Sequence, residues 1–392
     1  MSASNKVRLD DCCEIVSGAT PSTSVNSYWE GDICWATPKD LSNLDGAFIS
    51  ETPRKITRAG LDACAASILP VDSVLFSSRA PIGHVAINTV PMATNQGFKS
   101  FVPKQGRLDA KFLYWWLRAN RPYLESLGNG ATFKEVSKTV VSRIEIFLPR
   151  LAEQRRIVEV LDQAEALRAK RRAALAQLNI LTQAIFLDLF GDATTYSNGI
   201  KRVHLSEVTT RITDGTHLTP RFIDEGVPFI FVKNIKNGDI DFQTDKFIRE
   251  DEHAALYMRC PVESGDVLYT TVGATYGQAA PVGTFTKFAF QRHIAHLKPD
   301  ASKVLPEFFG IVMQLPFVKN QADRWARGAA QPTINLKELR EFEIPLPTLT
   351  LQRDFARRAA AVEKLKASHQ ASLTRMDALF AALEHCAFRG EL

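Results

Sequence analysis

The residue types that most often perform catalysis are present in this chain, but their spacing assembles no recognisable catalytic or metal site. The six cysteines are Cys12, Cys13, Cys34, Cys64, Cys260 and Cys386. They form no C-x-x-C pair and have no histidine at zinc-site spacing, so buried free thiols are expected rather than a metal site or disulfide framework. The glycine-rich stretch 273–277 lacks the G-x-G-x-x-G spacing of a dinucleotide site.

Further catalytic signatures are missing from the sequence. There is no G-x-x-x-x-G-K-[ST] loop for a nucleoside triphosphate, no H-E-x-x-H, and neither an Asn-Pro-Pro-Tyr nor an Asp-Pro-Pro-Tyr tetrapeptide. No spacing singles out one pair among the histidines and carboxylates. We therefore expect that the chain is not an enzyme and that it uses no cofactor and no metal.

The remaining polar residues include the types that would contact a nucleic acid if the chain binds one. Phosphates are bound by Lys, Arg, hydroxyls and backbone amides, whereas base edges are read by Arg, Lys, Asn, Gln and Thr. In the first half the candidates are Thr20, Ser22, Thr23, Lys39, Ser78, Arg79, Asn95, Gln96, Lys99, Asn129 and Thr132. In the second half they are Thr216, His217, Lys233, Asn234, Thr275, Tyr276, Arg292, His293, Arg324, Arg327 and Gln331.

These candidates also have a purely structural interpretation. Thr-Pro and Asn-Gly pairs form turns, and the amides of Gln96 and Gln291 could cap internal backbone groups. Arg79, Lys39 and Arg327 are the strongest candidates, because long cationic side chains beside Ala, Pro and Gly loops suit insertion into a DNA groove.

Composition describes an ordinary soluble chain. It has 392 residues, 45% of them hydrophobic and 23% charged, with 48 Lys and Arg against 43 Asp and Glu. This length predicts two or three domains. Charged and polar residues interrupt the longest apolar runs, and the N-terminus lacks a signal-like stretch, so we expect a cytoplasmic protein without a membrane span.

An internal duplication organises the chain. Residues 144–149 (IEIFLP) recur as 342–347 (FEIPLP), 198 residues later, and a Gln-Arg pair follows each copy at the same distance. Each copy then enters a helical segment that closes near a glycine, at Gly191 and Gly390. Looser matches join the preceding segments, including Gln96 with Gln291. The predicted divisions are 1–149, 150–192, 193–347 and 348–392.

The segments before the helices predict mixed globules. Short β-rich runs at 73–78, 84–87, 229–232 and 266–271 are separated by Gly, Pro, Asn and Asp. Amphipathic helices are expected at 110–119 and 306–315, and they place Trp115 and Trp116 in a core. The fold class is therefore α+β, with two similar globules separated by two long helices.

Each long segment carries an apolar repeat in alternating steps of four and three residues. In the first helix the seam is Val160, Ala164, Leu167, Arg171, Ala174, Leu178, Leu181 and Ile185. In the second it is Val362, Leu365, His369, Met376, Leu379 and Leu383, with Arg358 and Ser372 at polar steps. So narrow a seam needs a partner helix, and the other copy is the nearest one, which predicts an intramolecular antiparallel coiled coil.

Polar residues interrupt both seams near mid-helix. Antiparallel pairing would bring Arg171 to a similar height as His369 and Ser372, and such a layer would fix the register. The alternative is that Arg171 belongs to a solvated basic face with Arg168, Lys170 and Arg172.

The repeated motifs resemble the specificity subunit of type I restriction-modification systems. The resemblance lies in the duplicated P-x-L-x-x-Q-R at 149–155 and 347–353, and in the segments 18–23 (GATPST), 35–41 (WATPKDL) and 94–98 (TNQGF). It covers nearly the whole chain, and the pattern of two variable globules alternating with two similar helices carries it. The second globule departs from the pattern, because 94–97 (TNQG) becomes 289–292 (AFQR).

This resemblance implies that each globule reads one half of a bipartite, asymmetric site on double-stranded DNA. It further implies that the helices set the spacing and dock two modification (methyltransferase) subunits, and that restriction subunits, which are ATP-dependent translocases and endonucleases, join the complex. Two other readings stay open from the residues alone. One is a stand-alone hydrolase or transferase that dimerises through its coiled coil, and the other is an adaptor with no nucleic-acid role.

Overall fold

The computed structural model describes residues 6–44, 46–79, 81–130, 134–191, 200–283, 287–328 and 331–392. The chain divides into two compact units. The first unit combines Met1–Ala173 with Ala371–Leu392, and the second is Ala174–Gln370. Both boundaries fall inside long helices, so each unit contains one globule and a segment of each helix. The division at residues 149, 192 and 347 follows sequence similarity instead and stays a prediction.

The first globule is a mixed α/β assembly. Its strands are β1 Lys6–Arg8, β2 Cys13–Ser17, β3 Trp29–Ala36, β4 Phe48–Ile49, β5 Lys55–Ile56, β6 Val74–Phe76, β7 Val85–Asn88, β8 Met92–Thr94, β9 Lys99–Pro103 and β10 Glu145–Phe147. Its helices are α1 Leu9–Cys12, α2 Pro38–Ser42, α3 Arg58–Asp62, α4 Ala110–Ala119, α5 Arg121–Ser126, α6 Lys138–Ser142 and the long α7 Leu151–Phe190. The strands form sheets in the orders β2-β9-β6-β7-β4, β5-β3-β8 and β1-β10.

The second globule repeats this plan. Its strands are β11 Lys201–His204, β12 Thr209–Asp214, β13 Val227–Ile230, β14 Ile235–Lys236, β15 Asp239–Ile240, β16 Phe247–Ile248, β17 Val267–Thr270, β18 Ala279–Pro281, β19 Ala289–Phe290, β20 Ile294–Pro299 and β21 Glu343–Leu346. Its helices are α8 Leu205–Val208, α9 Glu250–Arg259, α10 Pro306–Val312, α11 Pro316–Trp325, α12 Leu336–Arg340 and the long α13 Leu349–Ala387. The orders β12-β20-β17-β18, β16-β13-β19 and β11-β21 follow those of the first globule, except that the four-stranded sheet lacks a counterpart of β4 and that β14 and β15 form a separate pair.

The predicted local elements are present, except that the helix expected at 306–315 ends at Val312. Helix α4 spans Ala110–Ala119 as expected, because Asp109 caps it by accepting hydrogen bonds from the backbone N–H groups of Lys111 and Phe112 at 2.9 and 3.0 Å. Trp115 and Trp116 are buried in the first core. Helix α7 ends at Phe190 before Gly191, whose φ of +78° lies in the left-handed region that glycine adopts without strain.

The glutamine of the repeated Gln-Arg pair fixes each long helix to its globule by side-chain hydrogen bonds. Gln154 is fully buried: its Oε1 accepts from the Asp109 N–H at 2.8 Å, and its Nε2 donates to the carbonyls of Arg107 and Pro149, each at 2.9 Å. Gln352 makes the same three bonds to the Leu305 N–H, at 2.8 Å, and to two carbonyls, at 3.1 and 2.9 Å. The motif is therefore a side-chain cross-link built twice.

The two long helices run antiparallel. In the first unit Arg168 of α7 is ion-paired with Asp377 of α13 at 2.7 Å, and its guanidinium lies 4.2 Å from the Phe380 ring centre. In the second unit the far end of α7 meets the beginning of α13, where the Phe186 and Phe355 ring centres are 5.8 Å apart. Since early α7 meets late α13 in one unit and late α7 meets early α13 in the other, the predicted antiparallel coiled coil is confirmed.

Part of the predicted seam has the wrong phase, although Val160 and Ala174 are half-buried. Leu167 and Leu181 are 57% and 38% exposed in α7, and Leu365 and Leu379 are 50% and 60% exposed in α13. The positions Ala164, Arg171, Leu178 and Ile185 and their counterparts Val362, His369, Met376 and Leu383 are buried or half-buried. The alternate steps lie one residue later than predicted, at Leu161, Arg168, Leu175 and Thr182, and at Ala359, Lys366, Leu373 and Phe380. Polar residues at three of these positions hide the true phase in the sequence.

The sequence also predicts a polar layer at mid-helix and no membrane span. Arg171 and His369 are half-buried, and the Ser372 hydroxyl lies 3.9 Å from the Met376 sulfur, but the mid-helix polar layer stays a prediction. One 18-residue window of α7 reaches a mean hydropathy of 1.4, which by length and composition meets the criterion for a membrane span. That finding is weak evidence, since Phe186 and Phe190 in the same helix belong to the second core.

The phase of the seam is testable within one helix. Leu161→Ala removes a fully buried side chain and should lower the free energy of unfolding by about 2–5 kcal/mol. Leu167→Ala, six residues later and exposed, should change it by less than about 0.5 kcal/mol. Urea titrations followed by circular dichroism measure both, and equal losses would contradict the assigned phase.

The glutamine cross-link gives a second prediction. Gln352→Met keeps the size of the side chain but leaves one buried N–H and two carbonyls without their partner, at a cost of about 1–3 kcal/mol for each group that stays unpaired. The control is Arg353→Met at the exposed neighbouring position. Thermal melts that show no difference between the two variants would exclude a stabilising role for the glutamine.

Candidate nucleic-acid interface

Several strand ends of the first globule meet at one edge. β2 pairs with β9 so that Ser17 lies opposite Lys99, and β3 runs parallel to β8 so that Ala36 lies beside Thr94. β6 ends where β7 begins, with Phe76 opposite Val85. The loops that follow β2, β3, β6 and β8 therefore leave from the same side, which we call the first loop edge (18–25, 37–42, 77–79 with 81–84, and 95–98).

Backbone hydrogen bonds hold these loops together. The Ala19 N–H donates to the Thr94 carbonyl at 2.9 Å, and the Asn95 N–H donates to the Ala36 carbonyl at 3.0 Å. The Ser78 N–H donates to the Gly97 carbonyl at 2.8 Å. The Ser78 carbonyl accepts from the Val136 N–H at 2.9 Å, and the Asn129 N–H donates to the Glu135 carbonyl at 3.1 Å, which adds residues 134–136 and 129 to the edge. A frame of this kind presents side chains from several separate segments on one surface.

The first loop edge contains most of the candidates from the first half. Ser22, Thr23, Lys39, Gln96 and Asn129 are exposed, and Thr20, Arg79 and Asn95 are half-buried. The Thr20 hydroxyl donates to the Gln96 side-chain oxygen, which leaves the Gln96 amide N–H groups available to a ligand. Thr132 lies outside the described residues.

Three candidates of this edge serve internal contacts. Ser78 is fully buried and its hydroxyl donates to the Gly97 carbonyl at 3.1 Å. Lys99 is 8% exposed and its ammonium lies 3.1 Å from the Glu135 carboxylate. Asn95 accepts from the Gly97 N–H at 2.9 Å. We therefore leave Ser78 and Lys99 out of the interface proposed below.

The second globule builds an equivalent surface. Asp214 lies opposite Ala295, Ile230 beside Phe290, and Thr270 opposite Ile294. The loops beyond these strand ends form the second loop edge (215–226, 231–234, 271–278, 291–293, and 327–328 with 331–334). Its backbone bonds reproduce those of the first edge: Thr216 N–H to Phe290, Gln291 N–H to Ile230, Thr271 N–H to His293 and Ile334 N–H to Thr271, at 2.9–3.1 Å.

These matched bonds correct one sequence pairing. The Gln291 N–H bonds to Ile230 as the Asn95 N–H bonds to Ala36, so Gln291 corresponds to Asn95 and not to Gln96. Arg292 then takes the place of Gln96, and His217 takes the place of Thr20. The first edge presents a neutral hydroxyl and amide at these two positions, whereas the second presents an imidazole and a guanidinium.

The second loop edge contains the candidates from the second half. His217, Lys233, Thr275, Arg292, Arg327 and Gln331 are exposed, and Thr216, Tyr276 and His293 are half-buried. Arg324 is exposed on α11 nearby. Asn234 is buried and donates to the carbonyls of Asp241 and Gln243 at 3.0 and 3.3 Å, so it holds its loop in place and is not carried into the proposal.

Glu135 and Glu338, which the sequence analysis did not single out, form ion pairs with cationic candidates. Glu135 lies 3.8 Å from Arg79 as well as beside Lys99, and Glu338 lies 3.5 Å from Arg327. The sequence gives no signal for the contact of Glu135 with Lys99, because 36 residues separate the two. Each guanidinium is therefore held at its edge by a carboxylate from a distant segment.

The two arginines do not occupy equivalent positions in the repeated frame. Glu135 forms backbone bridges with both Arg79 and Asn129, and Thr333 forms backbone bridges with both Val272 and Arg327. Arg327 therefore takes the place of Asn129, while Val272 takes the place of Arg79. Each edge presents one arginine at this bridge, but from a different segment.

The structure also assembles a chain of potentially catalytic groups that sequence spacing did not indicate. The Cys260 sulfur lies 3.2 Å from His296 Nδ1, and His296 Nε2 lies 2.7 Å from the Asp266 carboxylate. His296 and Asp266 are buried, and burial raises the pKa of the Cys260 thiol to about 12. A protonated thiol in such a place is a poor nucleophile. Across the described ranges, no group of three or more His, Cys, Asp or Glu side chains is arranged to hold a metal.

Comparison with known proteins gives a consistent result. A family model described as the type I restriction modification DNA specificity domain matches residues 1–177 and 219–375. The MjaIX specificity subunit of a type I restriction enzyme from Methanocaldococcus jannaschii is 27% identical over 368 residues, which cover 89% of this chain and 84% of that protein.

Solved structures show the same fold. A chain from a study of complex assembly and conformational transition in a type I R-M system aligns with a TM-score of 0.63 and 19% identity, over 99% of this chain and 98% of that chain. The S subunit of a type I restriction-modification system from M. genitalium aligns with a TM-score of 0.55 and 15% identity, over 98% and 95% of the two chains.

The charge of the second edge gives a pH-dependent prediction. Burial, Arg292 and His217 lower the pKa of His293 below its usual value of 6.5. The unfolded chain therefore binds this proton more readily, and the stability that neutral His293 contributes is present above about pH 6.5 and lost as the pH falls through the lower folded-state pKa. Melting midpoints at about pH 7.5 and about pH 5 should differ less in His293→Gln than in the wild type. The exposed His385→Gln is the control, and an unchanged difference in His293→Gln would contradict the prediction.

Proposed function

We propose that this chain, which belongs to the type I restriction modification DNA specificity family, is the DNA-reading subunit of a type I restriction-modification complex. Each globule reads one half of a bipartite site on double-stranded DNA through its loop edge. The chain supplies sequence recognition in the cytoplasm, while modification and restriction subunits supply methyl transfer, ATP-driven translocation and cleavage.

The observation that carries this proposal is one loop framework built twice with different side chains. The same four backbone bonds support each edge, so each presents its residues on an equivalent scaffold. Each edge exposes side chains that can donate hydrogen bonds to base edges and phosphates. They are Lys39, Gln96 and Asn129 on the first edge, and Lys233, Arg292 and Arg327 on the second. Function then resides in loops held by a rigid scaffold.

The two half-sites differ in sequence under this proposal. Thr20 and Gln96 of the first edge are replaced at equivalent positions by His217 and Arg292 of the second. Gln suits the N6 and N7 positions of adenine, whereas Arg suits O6 and N7 of guanine. An edge that presents different donors at the same positions favours different bases, which makes the complete site asymmetric.

Exposed leucines support the docking of two identical modification subunits. Leu167 and Leu365 are related by the 198-residue repeat, and so are Leu181 and Leu379. Leu167 and Leu379 belong to the first unit, and Leu181 and Leu365 to the second, so each unit exposes an equivalent pair. Apolar side chains exposed at matching positions suit two copies of one partner.

The helices set the spacing between the half-sites in this proposal. α7 and α13 contain 40 and 39 residues, so each is about 60 Å long at 1.5 Å per residue. Readers on one face of B-DNA must be centred about 34–36 Å apart for each helical turn that separates them. Paired helices of this length are sufficient to hold two readers at such a separation.

Selection from randomised duplexes tests the proposed function. The full chain, with and without its modification subunit, is incubated with a random DNA pool at moderate salt. We expect enrichment of two short conserved blocks separated by a fixed unspecific spacer, with affinity that falls steeply as salt rises. A pool with no enriched bipartite site would contradict the proposal, and turnover by the chain alone would favour the hydrolase alternative.

Arginine substitutions separate the half-sites. Arg327→Ala should weaken binding to the selected site by about 1–3 kcal/mol and relax specificity in one block if Arg327 reads a base, or reduce the salt slope by about one if it binds phosphate. Arg79→Ala should do the same in the other block. Fluorescence anisotropy on duplexes mutated in each block makes the distinction. Arg58→Ala, at an exposed residue of α3 outside the loop-edge segments, is the control.

The exposed leucine pairs predict how many modification subunits the chain binds. Leu379→Asp places a charge in the leucine pair of the first unit, and Leu365→Asp does so in the pair of the second. Each variant should bind one modification subunit in place of two, and the double variant none, because a charge would be desolvated against an apolar partner surface. Native mass spectrometry measures the ratio, and two subunits bound to the double variant would exclude these residues from docking.

A further inference from the structure

Three charged side chains form a cluster at the first loop edge. The Glu135 carboxylate lies 3.1 Å from the ammonium group of Lys99 and 3.8 Å from the guanidinium group of Arg79. Lys99 is 8% exposed, whereas the side chains of Glu135 and Arg79 are 37% and 34% exposed. The cluster therefore has one buried member, and it presents a carboxylate and a guanidinium side by side at the surface.

The second globule has an uncharged residue at the position of Lys99. In the first globule, Lys99 lies opposite Ser17, the last residue of β2. In the second globule, Ala295 lies opposite Asp214, the last residue of the equivalent strand β12. Ala295 therefore takes the place of Lys99, and it is fully buried.

The other two members of the cluster are also replaced by uncharged residues. In the backbone bridges of the second edge, Thr333 takes the place of Glu135. In the same bridges, Val272 takes the place of Arg79. The backbone frame is the same in both globules although all three charges are missing from the second. The frame therefore does not require these ion pairs, which indicates that they serve a role specific to the first edge.

Both the position and the charge of Glu135 are fixed by its surroundings. Its backbone N–H and carbonyl bond to Asn129 at 3.0 and 3.1 Å, and its carboxylate accepts from the Lys99 ammonium. Burying that ammonium is costly unless a carboxylate balances it. A carboxylate at a surface that meets DNA repels phosphates, so its cost is offset only where an acceptor is required. The exocyclic N4 amine of cytosine requires one, because it is a donor that Glu and Asp accept from in the major groove.

Arg79 fits the other half of the same base pair. A guanidinium has five N–H donors, so its ion pair with Glu135 leaves other donors for a base. Its planar fork needs two neighbouring acceptors, which in the major groove only guanine offers, as N7 and O6. The group beside O6 on that base pair is the N4 amine of cytosine. On an A·T pair a donor separates the two acceptors, so the fork does not fit.

We propose that Glu135 reads a cytosine in the first half-site by accepting a hydrogen bond from its N4 amine, while Arg79 donates to the guanine paired with it. Lys99 does not touch DNA in this arrangement. It is a positioning residue that fixes the carboxylate. This role of Glu135 rests on the proposed function, because it requires that the first loop edge meets the major groove of duplex DNA.

The experiment compares cytosine with 2-pyrimidinone, which is cytosine without its exocyclic amine. Each cytosine of both blocks of the selected duplex, on either strand, is replaced in turn. Binding by the full chain with its modification subunit is measured by fluorescence anisotropy. Glu135→Met keeps the length of the side chain but has no acceptor oxygen. Glu125→Met, at an exposed carboxylate of α5 outside the loop-edge segments, is the matched control.

A second variant removes the charge that Glu135→Met leaves unpaired. Lys99→Met combined with Glu135→Met replaces the ion pair by apolar side chains of similar size, a change that proteins tolerate at buried pairs. Circular dichroism shows whether each variant folds. The double variant decides the outcome if Glu135→Met alone does not fold.

At one cytosine we expect the wild type to bind the 2-pyrimidinone duplex about 5- to 150-fold more weakly than the cytosine duplex, the range set by loss of one base contact. Glu125→Met should show the same difference. Glu135→Met and the double variant should bind the two duplexes equally, because the amine no longer has an acceptor. The sensitive cytosine should lie in the block whose recognition Arg79→Ala alters.

The outcomes distinguish this role of Glu135 from the proposed function. If the wild type binds the cytosine and 2-pyrimidinone duplexes equally at every position, or if the Glu135 variants lose as much as the wild type, Glu135 does not read cytosine and DNA reading stands. A selected site without a G·C pair in the block altered by Arg79→Ala has the same meaning. A pool from which no bipartite site is selected refutes DNA reading, and this role of Glu135 with it.

Discussion

Neither globule completes its hydrophobic core without segments of both long helices, and the rest of the structure depends on this constraint. Ile157, Leu161 and Phe380 belong to the first core, while Phe186, Phe190 and Phe355 belong to the second. A buried glutamine fixes each helix to the globule it follows. Because both cores require both helices, folding of either globule is coupled to antiparallel pairing.

The loop edges and the exposed surfaces of the long helices are built from different parts of the chain. The loop edges are formed by strand ends, and four matched backbone bonds hold each edge whatever side chains it carries. Under the proposed function, base preference can therefore change through exposed residues such as Gln96 or Arg292 without disturbing the fold. The helices, in contrast, keep equivalent exposed leucines at positions related by the repeat. Under the proposed function, variation in the loops would change the target site, and repetition in the helices would preserve the assembly.

Cys260, His296 and Asp266 of the second globule satisfy one another in a closed chain, and burial keeps the thiol protonated. These three side chains are structural, because their hydrogen bonds are made among themselves.

The sequence by itself determined the duplication, the α+β class, the local elements such as Ala110–Ala119 and the four-three rhythm of the helices, because these follow from periodicity and local capping. Only the tertiary structure decided the phase of the seam, the match of Asn95 with Gln291, and the partners of Lys99 and Arg79. Each of these joins residues far apart in the chain. A shift of one residue in register exchanges buried for exposed positions, and composition does not record that shift.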